Sequence, residues 1–270
     1  EELSRVCAAI GLCITVHNSV GAYPIVRFGN VEQKKRFLPL LASGEHIGAF
    51  CLTEANAGSD AGAVETTAMA DNNEYIINGT KVFVGELEDM CGMRANPVSS
   101  LFFEDVRVPQ SHLLGRPGDG LKIGLITLDT GRIGVGAQAL GVAQAAFEAA
   151  VKYSKERQQF RKPISAFQTI QNYLADMATQ IDAARLLLYR ACASKDAGQP
   201  FGAEAAMAKL HCSTTATQVT NLALQIHGGY GYSKEYDVER YFRDAKVTEI
   251  YEGTSEVQRM VIARSVLSQL

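Results

Sequence analysis

A chain of 270 residues, 47% of them hydrophobic, can bury a large core as one big or two to three smaller domains. Its formal charge of -3, with no basic stripe, argues against nucleic acid or an acidic membrane surface as partner. The six cysteines form no CxxC pair and suggest reduced thiols of a cytosolic-type compartment. The five histidines show no ligand spacing, so no metal site is expected; no apolar run approaches a membrane span and no secretory signal is visible.

Residues 1–46 read as helical, and the pattern begins at Glu1 without a methionine or a cap, as in a fragment or processed chain. Asn30 with Gln33 forms a cap signature ahead of Phe37, Leu38 and Leu41. From Ile47 the stretches IGAFCLTE, ETTAMA and YIINGTKVFV are rich in β-branched and aromatic residues and predict strands. Asn78-Gly79 predicts a hairpin turn, and SLFFEDVRVP predicts a further strand stopped by Pro109. From Leu121 the chain is helical. Gly134 to Lys155 is alanine-rich; Ser165 and Gln168 form a capping box before Ile170, Leu174, Met177, Ile181 and Leu188; a third helix over Ala203 to His227 stops at Gly228-Gly229. A fourth helix follows Glu252, with Thr254 or Ser255 as its N-cap. The fold class is therefore α+β: an N-terminal helical segment (1–46), a small middle β-domain (47–112) and a C-terminal antiparallel four-helix bundle (113–270).

Four stretches bear on chemistry. Gly134-Val-Gly136-Ala-Gln-Ala139 matches a dinucleotide fingerprint, but no strand follows it, and close helix packing explains the glycines better. Thr53 to Asp60 offers backbone N–H groups and hydroxyls to an anion or polar cofactor, or is an ordinary turn. Arg157-Gln158-Gln159-Phe160 suits phosphate, or is a solvated helix end. Glu252, just before a helix N-terminus, is either a carboxylate exposed to a cleft or a complement to the helix dipole.

Taken in order and spacing, CLTEANAGSDAG, LDTGRIGVGAQALG, ERQQF, QIHGGYGY and RDAKVTEIYEGTSEVQR resemble the acyl-CoA dehydrogenase family of flavoenzymes, most closely its short-chain, butyryl-CoA type members. The resemblance covers nearly the whole chain. It implies FAD-dependent α,β-dehydrogenation of a short-chain acyl-CoA to a trans-2-enoyl-CoA. Electrons would pass to an electron-transferring flavoprotein, and the enzyme would be a homotetramer of the bacterial cytoplasm or the mitochondrial matrix. Glu252 matches the catalytic base; an alternative base position known in the family is Gly131 here, which cannot act as one. Phe50, Leu52, Thr53, Gly58, Ser59 and Phe83 match flavin contacts, and Ser59, Asp129, Arg132, Tyr251 and Gly253 match contacts to the acyl-CoA. Arg157, Gln159, Phe160, Gln168, Gln225, Gly228 and Gly229 match contacts to a neighbouring subunit's FAD, completed by Gly253, Thr254 and Glu256.

The chain departs from the family pattern after Phe83-Val84-Gly85-Glu86. Where the family carries an aromatic-x-Thr-Asn element and further strands, this chain passes directly to Glu88-Asp89-Met90-Cys91-Gly92-Met93-Arg94. Part of the β-domain is thus missing, and a spatial break or strands without partners are expected there, the native protein carrying the rest. Such a gap also raises the alternative of a catalytically inactive fragment or an acyl-CoA-binding assembly subunit.

Overall fold

The computed structural model describes residues 1–82, 89–96 and 99–268. Helices α1 (Glu2–Val6), α2 (Ala8–Val16), α3 (Tyr23–Phe28) and α4 (Val31–Ala42) come first, with a wider π-turn, His17–Ala22, between α2 and α3. The expected cap is present: Asn30 Oδ1 accepts from the Gln33 N–H at 2.9 Å, and Gln33 Oε1 accepts from the Asn30 N–H at 3.0 Å. Ala8–Phe28 form a continuous helical run of 21 residues, long and apolar enough to span a membrane by length and composition. That corrects the expectation of no such run. Its polar residues had hidden it, and they bond to backbone carbonyls, Asn18 to Ile14 and His17 to Leu41.

A three-stranded antiparallel sheet follows in the order β1 (Thr67–Asp71), β2 (Glu74–Lys81), β3 (Leu101–Pro109). Two strand expectations need correction. The segment 47–54 is a loop whose backbone bonds are scattered over several partners: the Gly48 N–H donates to His17 Nδ1, Lys81 Nζ donates to the Leu52 carbonyl, and the Val82 N–H donates to the Thr53 carbonyl. Nor is Asn78-Gly79 the hairpin turn. The β1–β2 turn is Asn72-Asn73, where Asn72 takes φ +53, while Gly79 marks a bulge inside β2. A Cβ on Gly79 would lie 2.4 Å from Thr66 Oγ1, so the bulge requires glycine. The expected break between Phe83 and Glu88 falls outside the described residues.

The rest is helical: α5 (Gly120–Glu156), a minimal hairpin of β4 (Gln158–Gln159) and β5 (Lys162–Pro163), then α6 (Gln168–Asp196), α7 (Gly202–His227), α8 (Val238–Val247) and α9 (Ser255–Leu267). The long helices α5, α6, α7 and α9 form the bundle. Met177, Ile181, Ala184, Leu188 and Ala191 are buried along α6, and Ala205, Cys212, Ala216, Val219, Ala223 and Ile226 along α7. With the buried Lys209 between Ala205 and Cys212, these stripes alternate steps of three and four, the spacing that lets facing helices interlock. The Gly134/Gly136 motif lies inside α5 with no strand before it. A Cβ on Gly136 would meet Leu188 Cδ1 at 3.2 Å, so close packing is its function. The Ser165/Gln168 capping box does not form: Ile164–Ala166 make a 3₁₀ turn, Phe167 takes the N-cap position, and no side chain caps the helix. Helix α8 was not anticipated. The sheet-free segment Met90–Ala95 is fixed to it: the Met93 N–H donates to Asp244 Oδ1 at 2.6 Å and Arg243 Nη1 to the Cys91 carbonyl at 2.9 Å.

Residue contacts divide the chain into two units, one of Glu1–Leu12, Met90–Ala95 and Arg132–Leu270, the other of Cys13–Asp89 and Asn96–Gly131. Replacing Asn30 by alanine removes the side-chain acceptor of the α4 capping box and should lower stability by about 1 kcal/mol. Urea unfolding checks this, and an unchanged midpoint would show that the cap contributes nothing.

Candidate active site

In the first unit, the segment between α8 and α9 is a tight turn built against the bundle. Thr254 begins α9, its Oγ1 accepting from the Val257 N–H at 3.4 Å. Just before it, Glu252 and Gly253 both take left-handed backbone, φ +54 and +90. Glycine is needed at 253, since a Cβ there would lie 2.7 Å from Gln258 Nε2. A glutamate at positive φ is strained and persists only where its surroundings over-determine it. Here they do. The buried Gln258 donates through Nε2 to the carbonyls of Glu252 (3.3 Å) and Gly253 (2.8 Å), and Lys209 Nζ donates to the Gly253 carbonyl at 2.8 Å. Tyr251 donates its hydroxyl to Gln138 Oε1, and Gln138 Nε2 donates to the Ala8 carbonyl at 3.1 Å.

The strained turn holds the Glu252 side chain inside. Its Oε2 is buried with no hydrogen-bond partner among the described residues. Burial pushes the carboxyl up to about 7, against the pull of the positive charges of Arg132 on α5 and Lys209 on α7. Lys209 is pushed down to about 8 by burial, with the charge of Glu252 opposing the shift and Arg132 adding to it. Tyr251 is held above its usual range by burial. A carboxyl that changes charge near neutrality can take up and release a proton under ordinary conditions. Ser255 Oγ, at the N-terminus of α9, is another buried polar atom without a partner among the described residues.

A second locus in the same unit is an open groove of about 500 Å³ lined by Tyr153, Arg157, Gln159, Ile164 and the α7 C-terminus from Ile226 to Tyr230. It brings together Arg157, Gln159, Gly228 and Gly229. The Arg157 guanidinium lies 5.4 Å from the centre of the Tyr230 ring, and His227 stacks on Tyr153 at 4.1 Å. Phe160 (φ +52) projects from the β4–β5 turn, 85% exposed, and Gln168 and Gln225 are exposed on α6 and α7.

In the second unit, Phe50, Leu52 and Thr53 are partly buried and Gly58 and Ser59 exposed on a loop that one carboxylate organises. Glu54 accepts from the N–H groups of Glu65 (2.6 Å) and Thr66 (3.0 Å) and from Lys81 Nζ (2.6 Å). The lysine, first among these donors, holds the Glu54 carboxyl down at about 2. Asp129 sits partly buried on the part of α5 that belongs to this unit, and Phe83 lies outside the described residues. The sequence reading had passed over Lys209, Gln258 and Glu54. For Lys209 a signal existed, since it falls in the buried α7 stripe between Ala205 and Cys212, where an apolar residue is expected.

The residues present suit FAD. The Arg157 fork, with Gln159 and the backbone of Gly228 and Gly229 along the same groove, fits a pyrophosphate. Comparison with known proteins agrees. Residues 1–45 match the acyl-CoA dehydrogenase N-terminal domain, 49–87 the middle domain and 118–267 the C-terminal domain. The chain is 45% identical to the mitochondrial short-chain specific acyl-CoA dehydrogenase of Bos taurus, over 99% of this chain and 74% of that protein. That alignment runs for 305 positions against a chain of 270 residues, leaving at least 35 positions of the relative without a counterpart. Butyryl-CoA dehydrogenase from Megasphaera elsdenii superposes with a TM-score of 0.97 at 43% identity, over 98% of this chain and 80% of that one. An acyl-CoA dehydrogenase complexed with FAD from Bacillus anthracis gives 0.94 at 31% identity, over 99% and 55%.

The Glu252 carboxyl makes stability depend on pH with a definite sign. Below its ordinary value of 4.5 it is protonated in both folded and unfolded chains. The stability this contributes is lost as pH rises through about 7, where the folded chain must ionise a buried group. Glu252→Gln should therefore be more stable than wild type at pH 8 by about 1–3 kcal/mol, and the advantage should vanish near pH 4. Thermal unfolding of both proteins across that range checks it, and a pH-independent difference would contradict a buried titrating carboxyl.

Proposed function

The chain belongs to the acyl-CoA dehydrogenase family, and from that premise we propose that it is an FAD-dependent dehydrogenase of short-chain acyl-CoA thioesters with Glu252 as its catalytic base. It is read as three domains, 1–46, 47–112 and 113–270, assembled as a homotetramer that passes electrons to an electron-transferring flavoprotein. Its place is the bacterial cytoplasm or the mitochondrial matrix, the relatives being bacterial and mitochondrial.

The observation that carries the reading is the Glu252 carboxyl, buried on a strained turn and raised to about 7. An α-proton beside a thioester needs a base strong enough to take it and a conjugate acid strong enough to release it afterwards; a value near the working pH serves both. Arg132 and Lys209 keep part of the carboxyl ionised, while burial keeps water away from it. FAD, when bound, supplies the two-electron acceptor for this chemistry. Toward it, Arg157 offers a two-pronged donor for phosphate, joined by Gln159, Phe160, Gln168, Gln225, Gly228 and Gly229. Gly253, Thr254 and Glu256 are assigned to it at the α9 N-terminus, and Phe50, Leu52, Thr53, Gly58, Ser59 and Phe83 on the other unit. Ser59, Asp129, Arg132, Tyr251 and Gly253 are assigned to the acyl-CoA.

A second reading, an inactive acyl-CoA-binding relative, draws on the middle-domain match ending at residue 87 and on the relative's unmatched positions. Anaerobic addition of butyryl-CoA to the flavin-loaded protein separates the two: a dehydrogenase bleaches its flavin, and an inactive relative stays yellow. In Glu252→Gln the bleaching rate should fall by about 10²–10⁴-fold while ligand binding survives. Bleaching at the wild-type rate would sink the assignment of the base. Arg157→Ala should lose flavin during gel filtration that the wild type retains, and equal retention would remove Arg157 from the cofactor site.

A further inference from the structure

We propose that Lys209 is a positioning residue for Glu252: its ammonium group, with the Gln258 amide, clamps the Glu252–Gly253 turn in its left-handed form and sets a positive charge beside the carboxyl. This rests on reading Glu252 as the base and adds to it a device inside the bundle that presents that base.

Three observations converge on Lys209. It is fully buried, at a position of the α7 stripe otherwise filled by Ala205, Cys212 and Ala216. An ammonium ion in such a stripe is costly unless it is bonded, so its presence demands a partner. That partner is the Gly253 carbonyl at 2.8 Å, in the Gly253–Thr254 peptide, one residue beyond Glu252. The same carbonyl receives Gln258 Nε2 at 2.8 Å, so donors from α7 and α9 converge on one oxygen of the turn. The turn needs such a clamp, because Glu252 at φ +54 is a non-glycine residue in a conformation it disfavours. Once the clamp is released, the peptide is free to rotate toward ordinary backbone and carry the carboxyl with it.

The charged groups acting on Lys209 are Glu252 and Glu249 of the turn, Glu256 of α9 and, with opposite effect, Arg132 of α5. Those acting on Glu252 are Arg132 and Lys209. Removing the lysine thus takes away one of two cations that favour the ionised carboxyl. Proton affinity at Glu252 must then rise, and the active form must be reached at higher pH.

The test is a ¹³C NMR titration of the flavin-loaded protein labelled at its glutamate carboxyls, the Glu252 signal being the one absent from Glu252→Gln. In Lys209→Met, which keeps bulk and loses charge and donor, the Glu252 midpoint should rise by roughly half a unit to one unit. The acid limb of kcat/KM for butyryl-CoA should move with it, and kcat should fall about tenfold or more with little change in KM. Lys209→Arg, which keeps the charge, should return the midpoint toward wild type. An unmoved midpoint and an unshifted acid limb would overturn the proposal and leave Lys209 as a space-filling residue. Should Lys209→Met not fold, the reciprocal measurement decides. With lysine labelled at its ε-carbon, the Lys209 midpoint must fall in Glu252→Gln, which takes away its nearest compensating charge; an unchanged midpoint overturns the proposal equally. Turnover by Glu252→Gln at the wild-type rate would instead sink the base assignment, a result read from activity and distinct from both titrations.

Discussion

A lysine that cannot reach water constrains the first unit. Lys209 occupies the interior of α7, and a cation there can persist only if the surrounding structure supplies an oxygen and compensating charge. The oxygen comes from a backbone carbonyl 44 positions later in the chain, which fixes where the α8–α9 connection must lie. The compensating charge comes from carboxylates around the same connection. Bundle core, turn and N-terminus of α9 are therefore one arrangement: altering the stripe at 209 alters the backbone at 253. The burial that makes the lysine demanding also raises the carboxyl of Glu252, so stability and the chemistry assigned to this turn have a common origin.

Loops elsewhere in the chain are braced in a similar manner, by a buried or half-buried side chain standing in for a missing strand or helix. Glu54 collects two backbone N–H groups and an ammonium, His17 accepts from Gly48, and Asp244 accepts from Met93. In each case a polar group too costly to bury alone is placed where a loop has a donor to spare. Such bracing gives irregular backbone a definite shape without lengthening the sheet, and both stretches braced this way, 47–66 and 90–95, carry motif residues of the family.

These devices explain what could be read in advance and what could not. Helix boundaries governed by local chemistry were legible: Asn30 with Gln33, Thr254 ahead of α9, and Gly228 after α7 all act within a few residues of their position. The Ser165/Gln168 signature misled because a 3₁₀ turn shifts the true cap to Phe167, a choice made by the neighbouring hairpin rather than by the signature. Asn78-Gly79 misled because a bulge and a hairpin turn make the same demand for glycine. The strand expected over 47–54 failed because its hydrogen bonds are divided among side chains from distant segments and isolated backbone groups, with no continuous partner strand among the described residues. The base candidate was visible through the order of several motifs together. The residues that hold it, Lys209 and Gln258, are defined by three-dimensional burial, and only the lysine's place in an apolar stripe hinted at it.

Gln138 joins the beginning of the chain to its end, donating to the Ala8 carbonyl while receiving the Tyr251 hydroxyl, contacts that span 130 and 113 positions. Arg185 reaches Glu1 across 184 positions, and Arg5 reaches Glu148 across 143. This separation has a consequence for synthesis on the ribosome. At roughly 5–20 residues per second, α1 and α2 are made about seven to forty seconds before the residues they finally grip. During that interval the α5 and α6 side chains that finally bind this segment have yet to be made. These contacts of α1 and α2 can therefore close only once α5 and α6 have been made.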